Sequence, residues 1–293
     1  MNYQHKWMKY RKWCKDNGHT ISSPSVQKVA DFLVHLRQDC QLSASAIKGY
    51  KAMLNGVFAI RGLDLNNDPV LRNIIKACSS QPRRPTRDLR PSWNLDVVLR
   101  SLTKAPFEPL RLSSTRDLTR KTLFLLALAT AQRVGELQAL SHRTSWQGQD
   151  LVVSYLPEFI AKTDTESHST PREFRIKSLV PLVGSEDVER LLCPVRALRH
   201  YLHRTASVTR PRNLFLAVKC PSRPMSKAAI SFFLRDTIRS AHVSTPDSTC
   251  HEIKVRAHDI RGIAASMLLW KNCSVPTILR AAPWKTRSVI ADH

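Results

Sequence analysis

Residues 79–91, Ser-Ser-Gln-Pro-Arg-Arg-Pro-Thr-Arg-Asp-Leu-Arg-Pro, set the strongest limit on how this chain can fold. Each proline fixes its own φ, lacks a backbone N–H and pushes the residue before it away from helix. With three prolines, four arginines and one leucine, the segment has almost nothing to bury. It reads as a basic linker at 81–91 that divides the 293-residue chain into a first domain, 1–80, and a second, 92–293. Two domains also fit a prior of roughly 150 residues each.

The first domain reads as short helices. Ser23-Pro24-Ser25 is a cap signal before a helix over 26–38, where Val29, Phe32, Leu33 and Leu36 recur at helical spacing. Ser43 opens a second helix through Ile47, Tyr50, Leu54 and Phe58, and Asp68-Pro69 begins a third over 70–78. In the second domain, helical signals cover 94–102 and a strongly apolar stretch, 118–140. Alternating runs predict strands at 151–155 and 174–183 around a turn region near 163–171. Helical patterns return at 195–203, 227–240 and 258–271, with a last short one at 275–282. The expected fold is mainly α with a small antiparallel sheet: an all-α domain followed by an α+β domain.

Lys and Arg number 46 against 23 Asp and Glu, a formal net charge of +23. Such an excess points to a polyanionic partner, because each neutralised phosphate releases condensed counterions. Residues 1–91 hold 16 basic and 6 acidic residues, and the remainder holds 30 against 17. Both domains share the excess, as a clamp around a nucleic-acid backbone would need. Seven cysteines stand singly, an odd count that argues against a disulfide framework and for a reducing compartment. No apolar run approaches the roughly 18 residues of a membrane span, and the first residues carry no signal-peptide core. Without a Walker loop, a G-x-G-x-x-G or metal-site spacing of Cys and His, no cofactor and no metal is expected.

Two arginine motifs carry the chemistry. Arg133 stands in Ala129-Thr130-Ala131-Gln132-Arg133-Val134-Gly135-Glu136-Leu137, at the end of an apolar stretch. A buried arginine there is costly without an anion; a salt bridge to Glu136, three residues on, is the structural alternative. His258-Asp259-Ile260-Arg261 then sets a proton-transfer group and a fixed cationic fork on one helical turn, followed by Gly262-Ile263-Ala264-Ala265-Ser266. By itself such a pair is most often a surface feature.

Taken with the tail Ala281-Ala282-Pro283-Trp284, these segments resemble the signature boxes of the tyrosine recombinase (phage integrase) family. The resemblance covers roughly 90–293 well, and 1–85 only by helical, basic character. It implies a SAM-like core-binding domain joined to a tyrosine-recombinase catalytic domain. By resemblance, Arg133 and Arg261 clamp the non-bridging oxygens of a scissile phosphate, and His258 acts as acid and base. Lys162, in Phe159-Ile160-Ala161-Lys162-Thr163, would be the hairpin lysine that protonates the leaving 5′-oxygen, with Lys177 as an alternative. Trp284 stands where many members have His, and would donate one hydrogen bond and pack the nucleophile helix. The usual Thr-Gly before the arginine is Ala131-Gln132 here, a departure that alters the turn and not the phosphate ligand. The Trp form, Ile278-Leu279-Arg280-Ala281, and Cys193-Pro194-Val195 look most like the DIRS-type eukaryotic retroelement branch.

The resemblance implies double-stranded DNA as partner, breaking and rejoining through a 3′-phosphotyrosyl link, and a tetramer on DNA in the full-length form. It also implies a mobile-element origin and a nuclear location if the source is eukaryotic, otherwise an intracellular, reducing one. The family's tyrosine follows nine or ten residues after the position of Trp284, where this chain has His293. Tyr3, Tyr10, Tyr50, Tyr155 and Tyr201 all lie elsewhere. The expectation is a fragment cut just before its nucleophile; the alternative is a non-catalytic DNA-binding protein derived from a mobile element. For DNA contact the candidates are Lys48 and Lys51 on the second helix and Arg83, Arg84 and Arg87 in the linker, a solvated basic face being the plainer reading.

Overall fold

The computed structural model describes residues 3–21, 23–80, 93–161, 164, 172–183, 188–206, 209–244 and 255–270. Its contacts divide the chain into two compact units, Met1–Asp88 and Leu89–His293.

In the first unit four helices, α1 (Tyr3–Asp16), α2 (Val26–Gln38), α3 (Ala44–Ala59) and α4 (Pro69–Ser80), enclose one apolar core. The starts follow local chemistry. Ser25 accepts a hydrogen bond from the Lys28 amide, Ser43 from that of Ala46, and Asp68 from that of Leu71, so each satisfies an otherwise orphaned N–H. Aromatic rings fill the centre: Tyr10 meets Phe32 edge-on at 5.0 Å and Phe58 at 5.8 Å. Helix α1 has no cap signal in the sequence. It is held by Tyr10, Trp13 and Cys14, which are buried against α2 and α3.

The second unit runs α5 (Leu95–Leu102), α6 (Thr115–Thr130), α7 (Val134–Gln138), β1 (Leu140–Gln147), β2 (Asp150–Tyr155), β3 (Glu173–Ile176), a 3-10 turn at Val188–Leu192, α8 (Pro194–Arg204), β4 (Leu216–Ala217), β5 (Cys220–Pro224), α9 (Lys227–Val243) and α10 (Asp259–Trp270). Helix α6 is the hub. Ten consecutive residues, Leu118 to Ala127, are buried, and it packs on α8, α9 and α10. Two of its cations, Arg120 and Lys121, are internal: Lys121 is fully buried, donating to Glu108 and, at 2.6 Å, to the Leu102 carbonyl, while Arg196 of α8 pairs with the same Glu108 at 2.6 Å. Strands β1, β2 and β3 form an antiparallel sheet in that order, with Gln147 opposite Asp150 and Leu151 opposite Ile176. The fold is mainly helical with a small antiparallel sheet, as expected.

Three sequence expectations change. The apolar stretch 118–140 is not one helix: Ala131 takes a left-handed conformation (φ 49, ψ 31), Arg133 is extended, and a short α7 follows. Strand β1, absent from the sequence reading, begins at Leu140 and forms the sheet edge; its burial fades along its length, which blurs the alternation. The strand expected over 174–183 stops at Ile176, because the Ser178 amide turns to Asp150 at 2.8 Å and that of Leu179 to the Cys193 sulfur at 3.3 Å.

Candidate phosphate-binding site

The site is built where α6 ends. A left-handed conformation costs a residue with a Cβ roughly 1–2 kcal/mol, and Ala131 adopts it. The resulting reversal makes Arg133 the N-cap of α7. Its backbone N–H donates to Glu136 Oε2 at 2.7 Å, half of a capping box, and its Nη1 donates to Glu136 Oε1 at 2.8 Å. The salt bridge that spacing allowed is therefore real. It is also shared. Arg261, in the first turn of α10, extends Nη1 to Glu136 Oε2 at 3.5 Å.

Burial divides the three charges. Glu136 and Arg261 are each 3% exposed, whereas the Arg133 side chain keeps 29% of its surface in solvent. Burial, and then the like charge of Arg133, push the Arg261 guanidinium down to about 10 despite the attraction of Glu136. Among the described residues two cations face the one carboxylate of Glu136, and Arg133 is the solvent-facing member of the pair. A guanidinium presented in this way can pair with an anion of matching fork geometry, such as a carboxylate or a phosphate.

Tyr155, the last residue of β2, completes the wall. It is 7% exposed; burial and the adjacent Glu136 push its phenol well up, against a hydrogen bond from Gln132 and the pull of Arg261 and Arg133. Among the described residues the buried Gln132 Oε1 has no hydrogen-bond partner.

His258 lies in the turn just before α10, not within the helix, and is exposed; its carbonyl accepts the Arg261 amide at 3.2 Å. The turn is fixed by Asp259, whose carboxylate accepts the Arg256 amide at 3.0 Å. The structure thus brings Arg133 and Arg261 together and sets His258 three residues from Arg261. In the first unit Lys48 is exposed, while Lys51 is half-buried with its ammonium 3.4 Å from the Asn66 carbonyl. Lys177 is exposed beyond β3. Lys162, Trp284, Arg83, Arg84 and Arg87 lie outside the described residues.

Spacing offers Glu136 as a salt-bridge partner for Arg133, and nothing local in the sequence singles out Gln132 or Tyr155. The i, i+3 spacing from Arg133 was signal enough for Glu136. Tyr155 reaches the site through sheet pairing, which leaves no local trace.

No protein-family model and no curated protein sequence matches the chain. Solved structures do. The chain is similar to the XerH site-specific recombinase bound to palindromic difH substrate in a post-cleavage complex (TM-score 0.64, 16% identity, 99% of this chain and 74% of that one). It is also similar to the Tn1549 transposon integrase in complex with transposon right end DNA (0.60, 13%, 100% and 88%). A third is a lambda integrase dimer bound to a COC′ core site (0.50, 15%, 98% and 88%). At these identities the likeness is one of fold: the architecture is that of tyrosine recombinases and integrases.

Proposed function

We propose that this protein binds double-stranded DNA and grips one backbone phosphate between Arg133 and Arg261, as the DNA-recognition and phosphate-activating part of a tyrosine recombinase. The observation that carries the reading is the convergence of the two arginines on a single buried carboxylate, Glu136. Glu136 holds the two forks in place before DNA arrives, so little reorganisation is needed when charge builds on a pentacoordinate phosphorus. The fold shared with DNA-bound recombinases and the net charge of +23 support the same reading.

In this account His258, exposed beside Arg261, moves protons to and from the phosphate oxygens. Lys162 supplies the proton to the leaving 5′-oxygen, and Trp284 donates a hydrogen bond to the phosphate. Residues 1–80 form the DNA-binding module of the clamp through Lys48 and Lys51, and 81–91 the linker, with Arg83, Arg84 and Arg87 on phosphates. Catalysis proceeds by tyrosine attack to a 3′-phosphotyrosyl link and a 5′-hydroxyl, with protomers associating on DNA, in a mobile element of DIRS type acting in a nucleus. No metal or cofactor enters the scheme.

The test is capture on a suicide DNA substrate, using a chain extended to carry a tyrosine at the family spacing after Trp284. A protein–DNA adduct that survives denaturation, and is lost on Arg261→Ala, supports the reading. A folded, DNA-binding extended chain that never forms one favours the alternative, a DNA-binding protein without strand-cutting activity.

A further inference from the structure

Three side chains at the end of α2 form a chain of contacts within the first unit. The Cys40 sulfur lies 3.5 Å from Nε2 of His35, and the other ring nitrogen of His35, Nδ1, lies 2.6 Å from Oδ2 of Asp39. The backbone makes the arrangement. His35 is in the last turn of α2, and its carbonyl accepts the amides of both Asp39, at 3.0 Å, and Cys40, at 3.2 Å. Gln41 then takes a left-handed conformation (φ 49), and the Leu42 amide donates to the Leu36 carbonyl at 3.0 Å, which closes the helix end with Cys40 held beside His35. On the core side the Trp13 ring packs 6.2 Å from that of His35.

Asp39 offers only an acceptor, so the imidazole proton sits on Nδ1 and the Nε2 lone pair faces the thiol. The two ring nitrogens point to different partners, so the three side chains do not converge on one point as metal ligands would. A base within reach of a nucleophile, itself oriented by a third group, is the arrangement that activates a thiol. Cys40 and His35 are each partly exposed, which gives a small reagent access to the sulfur. Cys220 provides the contrast: it is exposed, and its sulfur is 3.3 Å from the hydroxyl of Ser222 rather than from an imidazole.

We infer that Cys40 is an activated thiol that forms a mixed disulfide with a small aliphatic disulfide. Its Sγ attacks one sulfur of the reagent as the thiol proton passes to Nε2 of His35. A new S–S bond forms, the S–S bond of the reagent breaks, and the departing thiolate takes the proton from His35. The protein thiol is oxidised and half of the reagent is reduced, so no other oxidant enters. Asp39 is a positioning residue that acts through the imidazole. Neither step depends on the phosphate grip of Arg133 and Arg261.

The experiment treats the 293-residue chain with oxidised glutathione and follows each cysteine by peptide mass spectrometry, with Cys220 as the clock in the same molecule. A positioned base contributes about 10²–10⁴-fold, so Cys40 is expected to react at least about 10-fold faster than the more exposed Cys220. His35→Gln brings Cys40 to the Cys220 rate or below it, and Asp39→Asn lowers it in part, while the Cys220 rate holds. Cys14, wholly buried in the same unit, stays unmodified and reports that the unit is folded. A merely structural role gives the opposite sign, because loosening the turn exposes Cys40 and speeds its reaction. Equal rates at Cys40 and Cys220 in the parent overturn the inference without any variant. So does a Cys40 rate that His35→Gln leaves unchanged or raises while Cys14 stays protected. If Cys14 reacts in His35→Gln, the exposed Asp39→Asn decides by the same sign.

Discussion

Arg261 reaches from the start of α10 to Glu136, 125 residues earlier in the chain, and places Nη1 3.5 Å from the carboxylate oxygen that already accepts the Arg133 amide. One buried acid therefore orients both guanidiniums. Glu136 has an electrostatic duty that extends past capping α7. Without it, two like charges would face each other in an environment that already lowers the Arg261 affinity for its proton.

Replacing that acid exposes the cost. Glu136→Gln keeps the shape and removes the charge that both arginines face, a loss of about 3–5 kcal/mol. For a unit of this size, each kcal/mol moves the melting temperature by roughly 2–4 °C, so calorimetry is expected to show a fall of roughly 6–20 °C. A shift within the error of the scan would mean that the 3.5 Å contact to Arg261 carries little weight.

Ala131 gives the opposite sign. Its left-handed backbone is one that glycine adopts without steric penalty. Ala131→Gly should therefore raise stability by about 1 kcal/mol, and Ala131→Val should lower it by more, since branching at Cβ worsens the clash. Urea denaturation of the three proteins decides, and a destabilised glycine variant would show that the turn is not strained.

The pH dependence of stability should trace to Glu108. Burial by itself would raise its carboxyl, but hydrogen bonds and charge from Arg196 and Lys121 outweigh that and hold it below the ordinary glutamate range. A carboxylate with a depressed folded-state value stabilises above its unfolded-state value, about 4.3, and the contribution is lost as pH falls through the folded-state value. The difference in melting temperature between the parent and Glu108→Gln is expected to be full at neutral pH and to shrink below about pH 4. A gap that stays constant to pH 2 would assign the effect of the variant to packing.

His258 separates chemistry from binding. It is exposed and outside the core, so His258→Gln should leave the melting temperature and duplex affinity of the chain unchanged. In a tyrosine-bearing extension the same change should slow adduct formation by about 10²–10⁴-fold, the usual worth of a general acid or base. Equal rates in the two proteins would remove His258 from the mechanism.

Much of this fold was readable because its signals are local. The helix over 26–38 is bracketed by Ser25 and by apolar residues at helical spacing, and α2 occupies those residues. The break at Ala131 left no such mark, since alanine is the strongest helix former and nothing in Ala129-Thr130-Ala131 announces a turn. Around the break α7 packs on α9 and α10 on α6, contacts between distant segments that leave no local mark. The same holds for the site. Arg133 and Arg261 stood out as residue types in suggestive company, whereas Tyr155 arrives through β2 and shares no spacing with either arginine.

In the proposed function Arg133 and Arg261 serve one phosphate. The most direct measurement compares the salt slopes of duplex binding for Arg133→Gln, Arg261→Gln and the double variant, each confirmed folded by circular dichroism. If one phosphate is shared, each single variant retains most of the contact through the remaining arginine, and the double variant loses no more than about 0.9 in slope. Losses of about 0.9 in each single variant, adding to about 1.8 in the double, would place the two arginines on separate phosphates and rule out a shared one.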